Sequence, residues 1–223
     1  MKSKILISTG GSGGHVIPAI TMHDHLKENY DILISSDVRG LKYLDDKFYN
    51  TLVIDTPKLN NFILLPLSIL KVFFLTLRSL ILLKKEEIQI LISTGGYMSL
   101  PLCIAARILN IKIYLLEPNM VIGRANKFFL KFCKKIICYS KNIIGFPKEY
   151  KYKLKITNPL IRKKYYDKKL KENNNDKFTL IIIGGSQGAQ IFDKILHQSI
   201  IKVSKTKPLK VIHQTNQKNI GDL

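Results

Sequence analysis

Three glycine clusters, each placed directly behind a short apolar run, constrain this chain more than any other feature. They are STGGSGGHVIPA (Ser8–Ala19), ISTGGYMSLP (Ile92–Pro101) and IIIGGSQGAQ (Ile181–Gln190). The apolar run before each cluster has the length and composition of a buried strand, and a helical pattern follows. Glycine lets the backbone turn tightly and approach a ligand closely. The helix behind the loop points unpaired N–H groups and a partial positive charge at it. This is a way to hold phosphate without a metal. Three such loops suggest a chain that handles more than one diphosphate.

Between the clusters, apolar runs alternate with longer helical stretches, which predicts an α/β fold built on a parallel sheet with helices on both faces. Strands are expected at Lys4–Ser8, Ile32–Ser35, Leu52–Asp55, Ile88–Ser93, Ile111–Leu116, Lys135–Tyr139 and Leu154–Thr157. Helices are expected over Val16–Glu28, Met98–Leu109 and Arg124–Phe132, with Pro18 in a first helical turn where its missing N–H costs little. Asn158–Lys177 is polar, charged and carries Asn173-Asn174-Asn175, the composition of a linker. The pattern then restarts with a strand at Thr179–Ile183, a helix at Gln187–Val203 and a strand at Lys210–His213. The expected organisation is a first domain over 1–158, a linker over 159–177 and the start of a second domain over 178–223. One and a half βα units do not close a core, so the chain is expected to be a C-terminally truncated piece.

The net charge is +20, from 36 Lys and Arg against 16 Asp and Glu, which favours anionic partners such as diphosphates or acidic headgroups. The same abundance of Lys, Ile and Asn follows from an AT-rich genome, so charge alone does not decide. No basic–aromatic platform accompanies it, and a nucleic-acid partner is not expected. Cys103, Cys133 and Cys138 lie in apolar surroundings with no Cys or His at metal-ligand spacing, and read as reduced core thiols. No Asp-x-Asp occurs, and no signal peptide is visible at the start.

The most apolar stretch is FILLPLSILKVFFLTLRSLILL, Phe62–Leu83. Its length suits a membrane-spanning helix. Lys71 and Arg78 inside it argue against burial in a bilayer, and Pro66, Lys84 and Lys85 bound it. The preferred reading is an amphipathic helix packed partly on the sheet and partly at a membrane surface, with an ordinary buried crossover helix as the first alternative and a transmembrane span as the second.

The first loop, Gly10-Gly11-Ser12-Gly13-Gly14-His15, is not a Walker loop, since no Gly-Lys-Ser/Thr follows. Nor is it the dinucleotide fingerprint, since Val16 stands where the last glycine belongs. His15 sits where loop meets helix, where a neutral imidazole can take a proton from an attacking hydroxyl; a packing histidine is the alternative. In the third loop, Gly184-Gly185-Ser186-Gln187-Gly188-Ala189 offers backbone N–H groups and a hydroxyl to a nucleotide diphosphate. Glu117-Pro118-Asn119 falls just after a strand, at the sheet edge where ligands bind in open α/β folds.

Taken together, GGSGGHVIPA, STGGYMSLPLCIAARILNI, LLEPNMVIGRANKF, NPLIRK and IIIGGSQGAQIFDK follow the order and spacing of one family. The chain resembles the MurG family of peptidoglycan glycosyltransferases over almost its whole length. The resemblance implies a GT-B architecture: two Rossmann-like doubly wound parallel-sheet domains facing a cleft, the second incomplete here. It implies an inverting transfer of N-acetylglucosamine from UDP-GlcNAc to lipid I, the undecaprenyl-diphosphate-linked muramoyl peptide. No metal or cofactor is implied. The place of action would be the cytoplasmic face of the bacterial inner membrane, held peripherally to an anionic membrane surface.

Carried over motif by motif, His15 falls on the base. Ser12, Gly13, Gly14, Asn119, Arg162 and Ser186 fall on the UDP-GlcNAc side. Gly10, Gly11, Gly95, Gly96, Tyr97, Glu117, Gly185, Gln187 and Gly188 form the loops around the acceptor and the diphosphates. Two departures stand out. Leu160-Ile161 occupies a place where one residue is usual, so Lys163 competes with Arg162 for the family's arginine position. Leu116-Glu117-Pro118-Asn119 replaces the commoner His-Glu-Gln-Asn. The family's uracil- and ribose-binding residues would lie beyond Leu223. Two other functions fit the same residues: a non-catalytic fragment that binds a lipid diphosphate, and a GT-B transferase with another acceptor.

Overall fold

Seven parallel strands form the sheet of the first unit, in the order β3-β2-β1-β4-β5-β6-β7. They are β1 (Lys4–Ser8), β2 (Asp31–Ser36), β3 (Thr51–Val53), β4 (Ile90–Ser93), β5 (Lys112–Glu117), β6 (Lys135–Cys138) and β7 (Leu154–Ile156). The helices between them are α1 (Gly13–Leu26), α2 (Val38–Leu41), α3 (Leu65–Lys85), α4 (Leu100–Ile108) and α5 (Arg124–Phe129). This computed structural model describes residues 2–45, 47–57, 65–166, 178–184 and 190–215. Two compact units divide the chain, Met1–Lys168 and Lys169–Leu223.

The strands are continuous apolar runs because both faces of the sheet are covered. Along β1, Ile5 and Ile7 turn toward one apolar cluster with Ala19 and Met22 of α1. Leu6, between them, turns to the opposite cluster with Leu83 of α3, Leu102 and Ala106 of α4, and Phe129 of α5. The period of two is the geometry of a strand. Each such leucine or isoleucine contributes about 1.5–3 kcal/mol of burial. Cys103, Cys133 and Cys138 are free and buried in this second cluster. Burial pushes the Cys103 and Cys138 thiols up to about 12.

Beyond shifts of a few residues at element ends, the structure departs from the sequence reading in three places. The first helix begins at Gly13, so Pro18 lies inside it, one turn later than expected. Gly13 and Gly14 take up helical geometry, while Gly10 and Gly11, at φ +150° and +76°, and the extended Ser12 make the turn out of β1. A short helix, α2, follows β2 and had no local signal beyond Asp37, whose side chain caps it by accepting from Gly40 N. Met98 and Ser99 belong to a single 3-10 turn, Tyr97–Ser99, ahead of α4.

The apolar segment is helical through Leu65–Lys85; residues 62–64 lie outside the described residues. Its buried stripe is Ser68, Thr76, Ser79 and Leu83. The hydroxyls of Thr76 and Ser79 bond back to Val72 O and Leu75 O at 2.8 and 2.7 Å, so the small polar stripe packs without an orphaned group. Leu67, Ile69, Leu70, Phe73, Phe74 and Ile81 are all more than half exposed. In the second unit, β8 (Phe178–Ile182), α6 (Gln190–Ser204) and β9 (Leu209–His213) form a parallel βαβ unit with Ile182 opposite His213.

Candidate active site

β1 pairs with β2 on one side and β4 on the other, so the direction of strand progression reverses between β1 and β4. The crevice at such a reversal, outside the strands' carboxyl ends, is where open α/β sheets bind ligands. Here it receives the first two glycine loops side by side. Ser8 lies opposite Ser93 in register. Thr94 N donates to Ser8 O at 3.0 Å, and Thr94 Oγ1 donates to Thr9 Oγ1 at 2.9 Å. The stems of the two loops are therefore locked to each other.

His15 stands in the first turn of α1 with Nδ1 2.7 Å from Thr94 O. A carbonyl only accepts, so Nδ1 carries the proton at this contact, and in the neutral imidazole Nε2 is the acceptor. A Cβ built on Gly96 would lie 4.0 Å from that Nε2. His15, Gly96, Tyr97, Glu117, Asn119 and Asn126 share one cavity of about 550 Å³, which Gly95 and Arg124 also line. Ser12 precedes the helix in extended geometry, and its side chain makes no capping bond to the helix.

Glu117, at the end of β5, is 2 % exposed. Its Oε1 accepts from Asn119 N at 3.2 Å and Asn119 Nδ2 at 2.9 Å. Its Oε2 accepts from Gly123 N at 2.7 Å and Asn126 Nδ2 at 3.0 Å. Both oxygens are occupied by the loop that Glu117 shapes, which is the chemistry of a scaffold rather than of a proton acceptor. Asn119 spends one amide proton on this bond, and its carbonyl oxygen keeps its capacity to accept. Asn126 spends both donors, on Glu117 and on Leu116 O at 3.0 Å. Its Oδ1 is buried with no partner among the described residues. A Cβ on Gly95, where φ is +88°, would come within 3.4 Å of that oxygen. Glycine there leaves the approach to Asn126 open.

Asp37, 1 % exposed, secures the first loop from below. Its Oδ1 accepts from Gly11 N at 2.7 Å and Gly40 N at 2.9 Å. Its Oδ2 accepts from Arg39 Nε at 3.0 Å and Nη2 at 2.7 Å. Burial by itself would raise the Asp37 carboxyl, but these hydrogen bonds outweigh it and hold the group below the usual carboxylate range. A Cβ on Gly10 would sit 2.6 Å from Asp37 Oδ1, so only glycine admits this carboxylate.

The structure thus gathers Gly10, Gly11, Ser12, Gly13, Gly14, His15, Gly95, Gly96, Tyr97, Glu117 and Asn119 at the β1–β4–β5 edge. Arg162 lines a different cavity of about 410 Å³, with Asp24, Lys27 and Tyr49. Lys163 pairs with Glu28 at 2.5 Å. Gly185, Ser186, Gln187 and Gly188 lie outside the described residues. Asp37, Arg39 and Asn126 were missed by the sequence reading. Asn126 was visible inside the GRANKF block but carries no local mark of a role. Asp37 caps α2 and Arg39 lies within it, with no glycine-loop signature at either.

The model of the glycosyltransferase family 28 N-terminal domain matches residues 5–138. The UDP-N-acetylglucosamine--N-acetylmuramyl-(pentapeptide) pyrophosphoryl-undecaprenol N-acetylglucosamine transferase of Pelagibacter ubique is 50% identical over 220 residues, 98% of this chain and 62% of that protein. The protein of the same name from Rickettsia canadensis is 32% identical over 98% of this chain and again 62% of its own length. The chain therefore spans about 62% of these curated relatives. Among solved structures, MurG of Acinetobacter baumannii superposes with a TM-score of 0.75 at 22% identity, covering 98% of this chain and 62% of that one. A UDP-GlcNAc 2-epimerase of Methanocaldococcus jannaschii gives 0.57 at 12% identity, over 99% and 67%. These structural likenesses establish the GT-B type of α/β fold.

Proposed function

The chain belongs to glycosyltransferase family 28, and from that premise we propose that it serves the transfer of N-acetylglucosamine from UDP-GlcNAc to lipid I, forming lipid II in peptidoglycan synthesis. The names of its relatives support this reaction. The observation that carries the reading for this chain is the His15–Thr94 hydrogen bond, which in the neutral imidazole makes Nε2 the accepting nitrogen, in a side chain that lines the cavity. In the proposed step the acceptor hydroxyl attacks the anomeric carbon of GlcNAc. The C–O bond to UDP breaks on the opposite side, the configuration inverts, and the hydroxyl proton passes to His15 Nε2. The negative charge on the leaving diphosphate is met by glycine-loop N–H groups and Ser186.

Within this reading residues 1–158 form the acceptor and membrane side, and 178–223 begin the UDP-sugar side. Asn119, Ser12 and Arg162 serve the donor sugar and diphosphate, with Lys163 as the second choice for the arginine position. Glu117 acts by holding Asn119 and Asn126. The exposed apolar face of α3, flanked by Lys71, Arg78, Lys84 and Lys85, seats the protein peripherally on an anionic membrane, where the lipid tail of the acceptor remains.

A transfer assay with labelled UDP-GlcNAc and a short-chain lipid I analogue tests the proposal. Formation of the β-linked disaccharide supports it. Binding of the acceptor analogue without transfer by a full-length relative carrying this segment would overturn it in favour of a binding role.

A further inference from the structure

We propose that Arg39 is a positioning residue of this site: it bridges the buried Asp37 carboxylate to the Tyr97 hydroxyl, ties the first glycine loop to the second, and commits Tyr97 to donate its proton into the cavity. The functional part rests on the reading of that cavity as an acceptor site.

Arg39 Nε and Nη2 both donate to Asp37 Oδ2, and Nη2 also meets the Tyr97 hydroxyl. The guanidinium carbon lies 5.3 Å from the centre of the Tyr97 ring, so the aromatic face is engaged as well. The other Asp37 oxygen holds Gly11 N and Gly40 N. One carboxylate thus joins the first loop to α2, and one guanidinium joins that pair to the second loop.

A guanidinium has donors only. Its contact with Tyr97 takes a lone pair of the phenol oxygen and leaves the phenolic hydrogen for another acceptor. Tyr97 lines the cavity beside His15, so that hydrogen is available to a ligand oxygen there. The charged and titratable groups around Tyr97 are Asp37 and Arg39 at the start of α2, Asp55 after β3, and His15, Glu117 and Arg124, which line the same cavity. Burial raises the Tyr97 phenol above its ordinary value, and Asp37 and Asp55 add to that, while Arg39 opposes it. The phenol therefore keeps its proton at neutral pH. An exposed ion pair contributes little, but here the acidic partner is 1 % exposed, so the Arg39 fork is anchored. Lysine, a point charge without a fork, does not span both partners.

The test uses the full chain labelled with fluorotyrosine, with Y97F identifying the Tyr97 resonance by fluorine NMR. R39Q should raise the Tyr97 titration midpoint relative to the unaltered protein, and R39K should raise it less. An unchanged midpoint in both variants overturns the bridge. If R39Q fails to fold, R39K carries the same comparison. Farnesyl diphosphate, followed by calorimetry, probes the consequence. R39Q and Y97F should each weaken its binding about tenfold, and the double variant should be no weaker than the worse single variant by more than about twofold. Losses that multiply overturn the proposal, because Arg39 would then act on the ligand without Tyr97. Failure of the unaltered protein to bind farnesyl diphosphate counts against the acceptor reading, and the Tyr97 titration still decides the bridge.

Discussion

The carboxyl edge of the sheet and the outer face of α3 belong to one unit and use side chains in opposite ways. At the edge, buried polar atoms are held individually. Asp37 and Glu117 each accept four hydrogen bonds, and His15 owes its tautomer to one carbonyl. On α3 the arrangement is collective. A stripe of Ser68, Thr76 and Ser79 faces inward and large apolar side chains face outward, where Phe73 and Phe74 pack on each other within the helix. The contrast teaches that loss of one atom at the edge is not compensated by its neighbours, whereas the α3 face acts by summed area and charge. The variants that follow probe that difference.

The largest effect is expected at His15. His15→Ala should lower kcat roughly 10²–10⁴-fold with little change in donor KM, measured by initial rates in a full-length relative carrying this segment. A near-normal kcat would reduce His15 to packing and erase the chemical half of the contrast.

Next comes Glu117. Glu117→Ala leaves Gly123 N and Asn126 Nδ2 without their acceptor, at about 1–3 kcal/mol for each buried donor. Urea denaturation should show the loss. A change under about 0.5 kcal/mol would mean that water replaces the carboxylate and that the edge is less tightly specified than its geometry indicates.

Asp37 adds a pH signature. Its folded value lies below that of the unfolded chain, so its stabilisation is present above about pH 4 and is lost as pH falls through the lowered folded value. Asp37→Asn should cost about 2 kcal/mol at pH 7, since the hydrogen bonds involve a charged group. The gap between the two proteins should narrow as pH drops below about 4, followed by thermal melting across pH. A constant gap would assign the loss to packing rather than to charge.

The smallest effect per residue is expected on α3. Replacing Lys71, Arg78, Lys84 or Lys85 with Gln should weaken sedimentation with anionic vesicles by about 1 kcal/mol each, additively and less at high salt. One replacement that abolishes binding would mean a specific headgroup site and would make α3 resemble the edge. No binding to vesicles at low salt would make its apolar face an ordinary outer surface.

Much of this was legible in the chain itself. The strand–glycine–helix order predicted the parallel sheet, because only a buried strand is apolar throughout and only glycine turns tightly enough to enter a helix within a few residues. His15 was visible as a candidate because it follows the first glycine loop. The length and interior charges of Phe62–Leu83 marked a helix and left open whether it lies at a membrane surface or in the core. Pro18 was misplaced by a turn because glycine hides where a helix begins.

What remained was settled by neighbours distant in sequence. Nothing local says that β4 lies beside β1, yet that pairing puts Thr94 O against His15 across 79 positions and sets its tautomer. The chain placed Glu117 only in a loop around the acceptor; the loop that folds back over it takes both oxygens. Asp37 and Arg39 carried no motif, and gained their part only when the β2–α2 turn met the two glycine loops. Hydropathy identified α3, but its inward face was decided by what packs best on α4, and small hydroxyls that bond to their own helix allow the closer approach. Periodicity and loop composition are local quantities, so the chain alone determined the elements and their order. Hydrogen-bond partners and buried faces depend on which elements meet, and only the tertiary structure decided those.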